Sequence, residues 1–279
     1  MSTTGSDLRY ALRSMRRNPG FAALAVSSLA LGIGVNTAMF GLVDQLLLWS
    51  VPARDPARLV SVEGMYVRSY PFYREFRDRN QVFSGLLATS GLTRVGIRPE
   101  GAPEIEVGHL CYVSGNYFET LGVGAAAGRV IATSDDVAPG GSPVAVLSYS
   151  YWQRRFAGSF GVIGRKLAIN GYPLEILGIA EKGFGGIVNT EQADAFVPVT
   201  MFPTTTPAAA RVWNTTGMFW LTPMARLKPG VSMAQAQAAM RVLAPQVAEA
   251  VNDAAVKAGR RRRNYRNTEV TLTPGAHGV

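Results

Sequence analysis

The run from Phe21 to Val43 limits what this chain can fold into more than any other stretch. It holds 23 consecutive residues without a charge, FAALAVSSLALGIGVNTAMFGLV. As a helix rising about 1.5 Å per residue it spans about 34 Å, against a hydrocarbon core of roughly 30 Å. No other window approaches that length. The expectation is a single membrane crossing over residues 21–48. A secretory signal peptide has an apolar region of only about 7–15 residues and a small-residue cleavage site. This run is longer and no clean A-x-A site follows it, so the segment reads as an uncleaved anchor.

Charge sets the orientation. Asp7 to Arg17 has Leu8, Ala11, Leu12 and Met15 on one helical face, with Arg9, Arg13, Arg16 and Arg17 on the other. Ser6 or Asp7 can cap such a helix, and Asn18-Pro19-Gly20 is placed to end it. Residues 1–20 therefore read as an amphipathic helix on the membrane surface. The four arginines precede the apolar run and no basic residue follows until Arg54. That asymmetry places the N-terminus in the cytoplasm and the rest of the chain outside. Within the run, Ala30, Gly34 and Ala38 recur every fourth residue, a small-residue face on which another helix can pack closely. Ser27, Asn36 and Thr37 add polar groups that favour protein neighbours over lipid.

The formal net charge is +9, which invites a nucleic-acid reading until it is divided. The first 50 residues carry a net +2, and residues 257–266 carry six cations and no acid, leaving +1 for the remainder. The body is thus nearly neutral. The basic run around Arg260–Arg263 lacks interleaved aromatics except Tyr265, so it reads as a solvated loop and no nucleic-acid partner is expected. The lone cysteine, Cys111, excludes a disulfide scaffold.

The 230 or so residues beyond the anchor read as α+β. Leu59–Val62 suggests a first strand, and Pro71 with Phe72, Tyr73 and Phe76 a short helix whose Arg74, Arg77 and Arg79 face solvent. Short strands follow from Val82 to Gly108, then one at Val144–Leu147 and a helix over Tyr149–Phe156. Asn170-Gly171 between Leu167-Ala-Ile169 and Leu174-Glu-Ile176 predicts a two-residue hairpin, with Pro173 at an edge. Phe184-Gly185-Gly186 reads as a flexible loop and residues 203–216 as a surface excursion. Ser232 and Gln235 form a capping box, opening a helix with Ala236, Met240, Leu243 and Val247 on one face, which Pro245 should kink or end. Val270–Leu272 is placed to close a sheet.

Chemistry-bearing patterns are few. His109 and Cys111 share a strand face, but no orienting acid is evident for a thiol–imidazole pair, and a packed strand is the expectation. Gly122 to Gly128 has GxGxxxG spacing, a weak match to a dinucleotide loop and better read as a turn. Two histidines and one cysteine do not supply a structural zinc site, and no P-loop occurs. No catalytic residue, metal or cofactor is expected, and the chain is read as not an enzyme.

Several stretches resemble one family. DLRYALRSMRRNPGFAALAVSSLALGIGVNTAMFGLVDQLLL looks like the start of MacB/FtsX-type ABC transporter permeases, above all the acidobacterial duplicated orphan permeases. SYPFYREFRDRNQVFSGL, VSGNYFETLGVGAAAGRV, VAVLSYSYWQRRFAGSFGVIGRKLAINGYPLEILGIAEKGFGG and ARLKPGVSMAQAQAAM resemble the MacB-like periplasmic core domain, in the family's order. The resemblance implies a bacterial inner-membrane location and a two-lobed periplasmic body over 51–279. A porter-like lobe would take about 51–128 and 219–279, with a Sabre-like lobe inserted over about 129–218. It implies a non-enzymatic permease component that couples a cytoplasmic ABC ATPase to efflux or mechanotransmission. Its other partners would be further permease helices or a second copy, and the lipid bilayer. The family carries at least three more membrane helices after this domain, so the chain is expected to be a truncated or split permease, a gene fragment, or an anchored core domain working with another subunit. The alternative is a membrane-anchored binding module with no ATPase partner.

Overall fold

The computed structural model describes residues 19–47, 51–187, 192–276 and 278, and divides the chain into two compact units that meet between Trp49 and Ser50. The first contains helix α1, Pro19–Leu47. Pro19 opens this helix, where its missing N–H is harmless in a first turn; the expected helix over residues 1–18 lies outside the described residues. The side chains of residues 23–37 are exposed, among them Leu24, Val26, Leu29, Leu31, Ile33 and Val35. Among the described residues no helix is long and apolar enough to cross a membrane.

The second unit is organised by one mixed sheet, in the order β11-β1-β10-β2-β4-β3-β7-β8-β6-β9, with β5 on β8 and a further pairing of β4 with β9. The strands are β1 Leu59–Glu63, β2 Phe83–Ser90, β3 Thr93–Pro99, β4 Glu106–Val113, β5 Ala125–Gly128 and β6 Val144–Leu147, then β7 Lys166–Ile169, β8 Tyr172–Ala180, β9 Ala195–Pro198, β10 Leu221–Leu227 and β11 Thr271–Pro274. The helices of this unit are α2 Tyr70–Arg79, α3 Tyr117–Leu121, α4 Tyr149–Phe156, α5 Phe202–Thr205 and α6 Met233–Lys257. Strands from both ends of the unit are neighbours: β1 lies between β10 and β11.

Strand alternation assigns two faces. Val60 stands opposite Ala225, which stands opposite Leu86, and these join the core formed with Phe72, Tyr73 and Phe76 of α2 and Ala236, Met240 and Val247 of α6. The Tyr73 hydroxyl donates to the Leu86 carbonyl at 3.1 Å, pinning α2 to the sheet. The opposite face carries Ser61, Met224 and Leu87, and α3 packs there. Gly85 makes that approach possible: a Cβ on it would lie 2.4 Å from the Thr120 hydroxyl. Gly85→Val is expected to lower stability by about 1–3 kcal/mol through overpacking, read as a lower denaturation midpoint.

The Asn170-Gly171 turn forms as the spacing predicts, both residues at positive φ, 49° and 86°. Pro173 is tolerated because its partner Ala168 lies on β7, while β6 joins β8 only from Glu175 onward. Ser232 caps α6 and Gln235 completes the capping box.

Three expectations are corrected. Residues 203–216 are no surface excursion: α5 and the turn after it bury Thr205, Ala209 and Trp213, and the Trp213 ring lies 4.6 Å from Tyr70. Phe184-Gly185-Gly186 is no free loop, since Phe184 is buried among Tyr117, Phe118 and Phe196. Pro245 does not end α6, which runs on to Lys257. Pro245 removes one bond, to the carbonyl of exposed Arg241, where water can replace it, and Ala244, Val247 and Val251 hold the helix to the sheet on both sides of it.

Candidate functional site

Among the described residues the reactive side chains do not assemble into catalytic machinery. Cys111 is buried, and its sulfur lies 2.8 Å from the Thr89 hydroxyl. Burial pushes the thiol up to about 11, against its hydrogen bonding with Thr89 and Ser90, which lowers it. An acid does stand near His109, contrary to the sequence reading: Asp194 lies 3.9 Å from Nδ1. Its oxygens are already committed, however, one to Arg154 at 2.7 Å and the other to the His109 backbone N–H at 2.8 Å. Asp194 thus ties β9 to β4 and α4. Among the described residues, no three His, Cys, Asp or Glu side chains converge as a metal site. Gly122 closes α3 in the left-handed conformation, and a Cβ on Gly128 would lie 2.3 Å from the Leu177 carbonyl. The glycines there serve backbone packing, not phosphate.

Because the folded thiol keeps its proton to higher pH than an unfolded one, it stabilises the fold fully below about pH 9. That contribution is lost as pH rises from about 9 to about 11. Denaturation midpoints measured across this range should fall with pH, and Cys111→Ala should flatten the first part of the fall. Native Cys111 should also resist thiol labelling at pH 8 until denaturant is added.

The arrangement that stands out mechanically is residues 51–58, which follow α1 in the sequence. The Val51 amide donates to the Ala276 carbonyl at 2.8 Å, and the Arg54 amide to the Leu121 carbonyl at 2.8 Å. Arg226 then gathers three segments. Its Nε donates to the Thr120 carbonyl at 2.7 Å, Nη1 to the Asp55 carbonyl at 2.9 Å, and Nη2 to the carbonyls of Arg54 and, at 3.4 Å, Leu121. Arg58 adds a bond from Nη2 to the Leu227 carbonyl. Residues 51–58 are therefore a strap fastened to β10 and the end of α3. Beside it opens a cleft of about 740 Å³ lined by Pro52, Arg54, Gly124, Lys182 and Phe184. The sequence reading missed Arg226; the available signal was a lone charge inside the otherwise uncharged strand Leu221–Leu227.

The residues singled out from the sequence fall elsewhere. Arg9, Arg13, Arg16 and Arg17 lie outside the described residues, as does the side chain of Ala38. Ala30 and Gly34 are exposed on α1, and a Cβ on Gly34 would meet no atom within 4 Å.

The family described as MacB-like periplasmic core domain matches residues 22–243. The chain belongs to that family. Its MacB-like core domain is similar to the extracellular domain of the noncanonic ABC-type transporter YknZ from Gram-positive bacteria, at 13% identity, with 77% of this chain and 99% of that one covered and a TM-score of 0.48. It is also similar to the periplasmic region of MacB from Actinobacillus actinomycetemcomitans, at 12% identity, with 76% and 90% covered and a TM-score of 0.49. No curated protein matches the chain.

Proposed function

We propose that this chain is a non-enzymatic permease component of an ABC-type transporter. α1 anchors it in a bacterial inner membrane with the N-terminus in the cytoplasm, and the body lies outside. The body there couples a cytoplasmic ATPase to efflux or mechanotransmission. The observation that carries the reading is the family match over residues 22–243, which begins inside the apolar helix and runs through most of the body. Two further features support it. α1 is continuous over 29 residues, about 43 Å, and exposes apolar side chains from Leu24 to Met39, a pattern suited to lipid or to neighbouring helices. The adjacency of β11, β1 and β10 suits a porter-like lobe over about 51–128 and 219–279 with a second lobe inserted over about 129–218.

On this reading the face of Ala30, Gly34 and Ala38 packs against further permease helices or a second copy, and Arg9, Arg13, Arg16 and Arg17 fix the topology. A reporter fused after Val279 should be active only outside the cytoplasm; cytoplasmic activity would refute the topology. Gly34→Leu should abolish recovery of a partner membrane subunit from detergent extracts while the body stays folded. Membranes from which no ATPase co-purifies, under conditions that keep membrane partners, would favour the anchored binding module instead.

A further inference from the structure

The basic run after α6 is a fastened element. Asn252, buried on the last turns of α6, donates from Nδ2 to the Arg263 carbonyl and accepts at Oδ1 from the Arg263 amide, each at 2.9 Å. Two residues on, the Tyr265 ring packs edge-on against Tyr66 and Phe72, at 5.1 and 5.0 Å between centroids. The backbone is thus held at 263 and 265, and the arginines around these points are exposed. Arg262 pairs with Glu249 and Asp253. Among the described residues, Arg74, Lys257, Arg260, Arg261 and Arg266 make no ion pair. A cleft of about 530 Å³ opens on one flank, edged by Asn264, Tyr265, Thr268 and Glu249, and one of about 210 Å³ on the other, edged by Arg74, Glu75, Asn214 and Arg260; both glutamates are already paired, Glu249 with Arg262 and Glu75 with Arg79. The basic run of this ledge, residues 257–266, lies beyond residue 243, where the family match ends.

We propose that this ledge is a docking surface for an acidic, extended segment of a partner protein, whose carboxylates pair with Arg260, Arg261 and Arg266. An ordered backbone matters here, because a bound partner need not supply the cost of ordering the loop. The clefts favour a peptide over a bilayer: side chains of an extended segment can enter them, whereas a lipid surface would bridge them. They also favour a peptide over nucleic acid, since the one aromatic ring, Tyr265, is committed to Tyr66 and Phe72 and offers no stacking platform.

The test uses the full chain in nanodiscs of neutral phosphatidylcholine. The probe is a fluorescein-labelled twelve-residue peptide of alternating Asp and Gly, read by anisotropy. The parent chain should bind it with an affinity that falls as salt rises. Replacing Arg260, Arg261 and Arg266 by Gln should weaken binding about tenfold, the sum expected of three partly exposed ion pairs. Replacing the same number of exposed arginines elsewhere, Arg94, Arg98 and Arg241, by Gln should leave it unchanged. Equal weakening by both sets, or none by the first, overturns the proposal. So does displacement of the peptide from the ledge by phosphatidylglycerol vesicles or by a single-stranded RNA oligomer at lower concentration.

Discussion

Phe196→Ala should lower the stability of the body by about 3–5 kcal/mol, the range for truncating a fully buried aromatic side chain. Phe196, on β9, is fully buried among aromatic side chains of α3 and of the segment before β9. Its ring lies 5.4 Å from Phe118, 5.5 Å from Phe184 and 6.2 Å from Tyr117. Truncation removes its own transfer energy and also the ring contacts, edge-on with Phe118 of α3 and tilted with Phe184 of the neighbouring loop, that hold those side chains. Aromatic pairs of this kind add about 0.5–1.5 kcal/mol each beyond area burial. Against a total stability of order 5–15 kcal/mol the loss is large. Urea denaturation of the full chain in detergent should show a much lower midpoint with an unchanged slope. Phe196→Leu, which keeps most of the volume, should cost far less. A midpoint shift worth under about 1 kcal/mol for the alanine variant would mean that α3 and residues 184–187 are held by something other than this cluster.

Local order in this chain is written in residues close together in sequence, and such features were readable. Asn170-Gly171 fixes its own turn through two positive φ values, and Ser232 with Gln235 closes its own cap. The apolar faces of α2 and α6 announced themselves by spacing. The features that escaped depend on partners far away. Trp213 stands in a stretch rich in Thr, Ala and Pro that carries no helix or strand period, and it is buried because Tyr70 lies across from it. Phe184 is flanked by glycines that suggest freedom, yet three aromatic rings from α3 and β9 hold it. Pro245 breaks a helix only where the lost bond is not offset by packing, and Ala244, Val247 and Val251 supply that packing. The parallel pairs β4 with β9 and β6 with β8 join strands whose periodicity says nothing of their neighbours. Residues 1–18, which hold Arg9, Arg13, Arg16 and Arg17, and the side chain of Ala38 stay outside the described structure.

The same long-range logic makes Arg226 the position where a single change should separate residues 51–58 from the body. Arg226→Met keeps the length of the side chain and its packing but removes every donor to Arg54, Asp55, Thr120 and Leu121. Hydrogen bonds from a charged donor contribute about 1.5–3 kcal/mol, but here water can rehydrate some of the freed carbonyls. A net loss of about 2–3 kcal/mol is therefore expected. It should be local: hydrogen exchange should quicken at the Arg54 amide and through residues 117–122, while β8 keeps its protection. Arg226→Lys should rescue little, because one ammonium cannot span four carbonyl acceptors on two separate segments as the planar guanidinium fork does. If the chain works as a coupling element, force arriving along residues 51–58 enters the sheet at β10 through this fork and at β11 through the Val51–Ala276 bond. A variant that unfastens the strap should then still recover its ATPase partner while losing the response of the body to nucleotide. Unchanged exchange in both segments would show that the backbone bonds of Val51 and Arg54 suffice without the arginine, and the strap would need no fork at all.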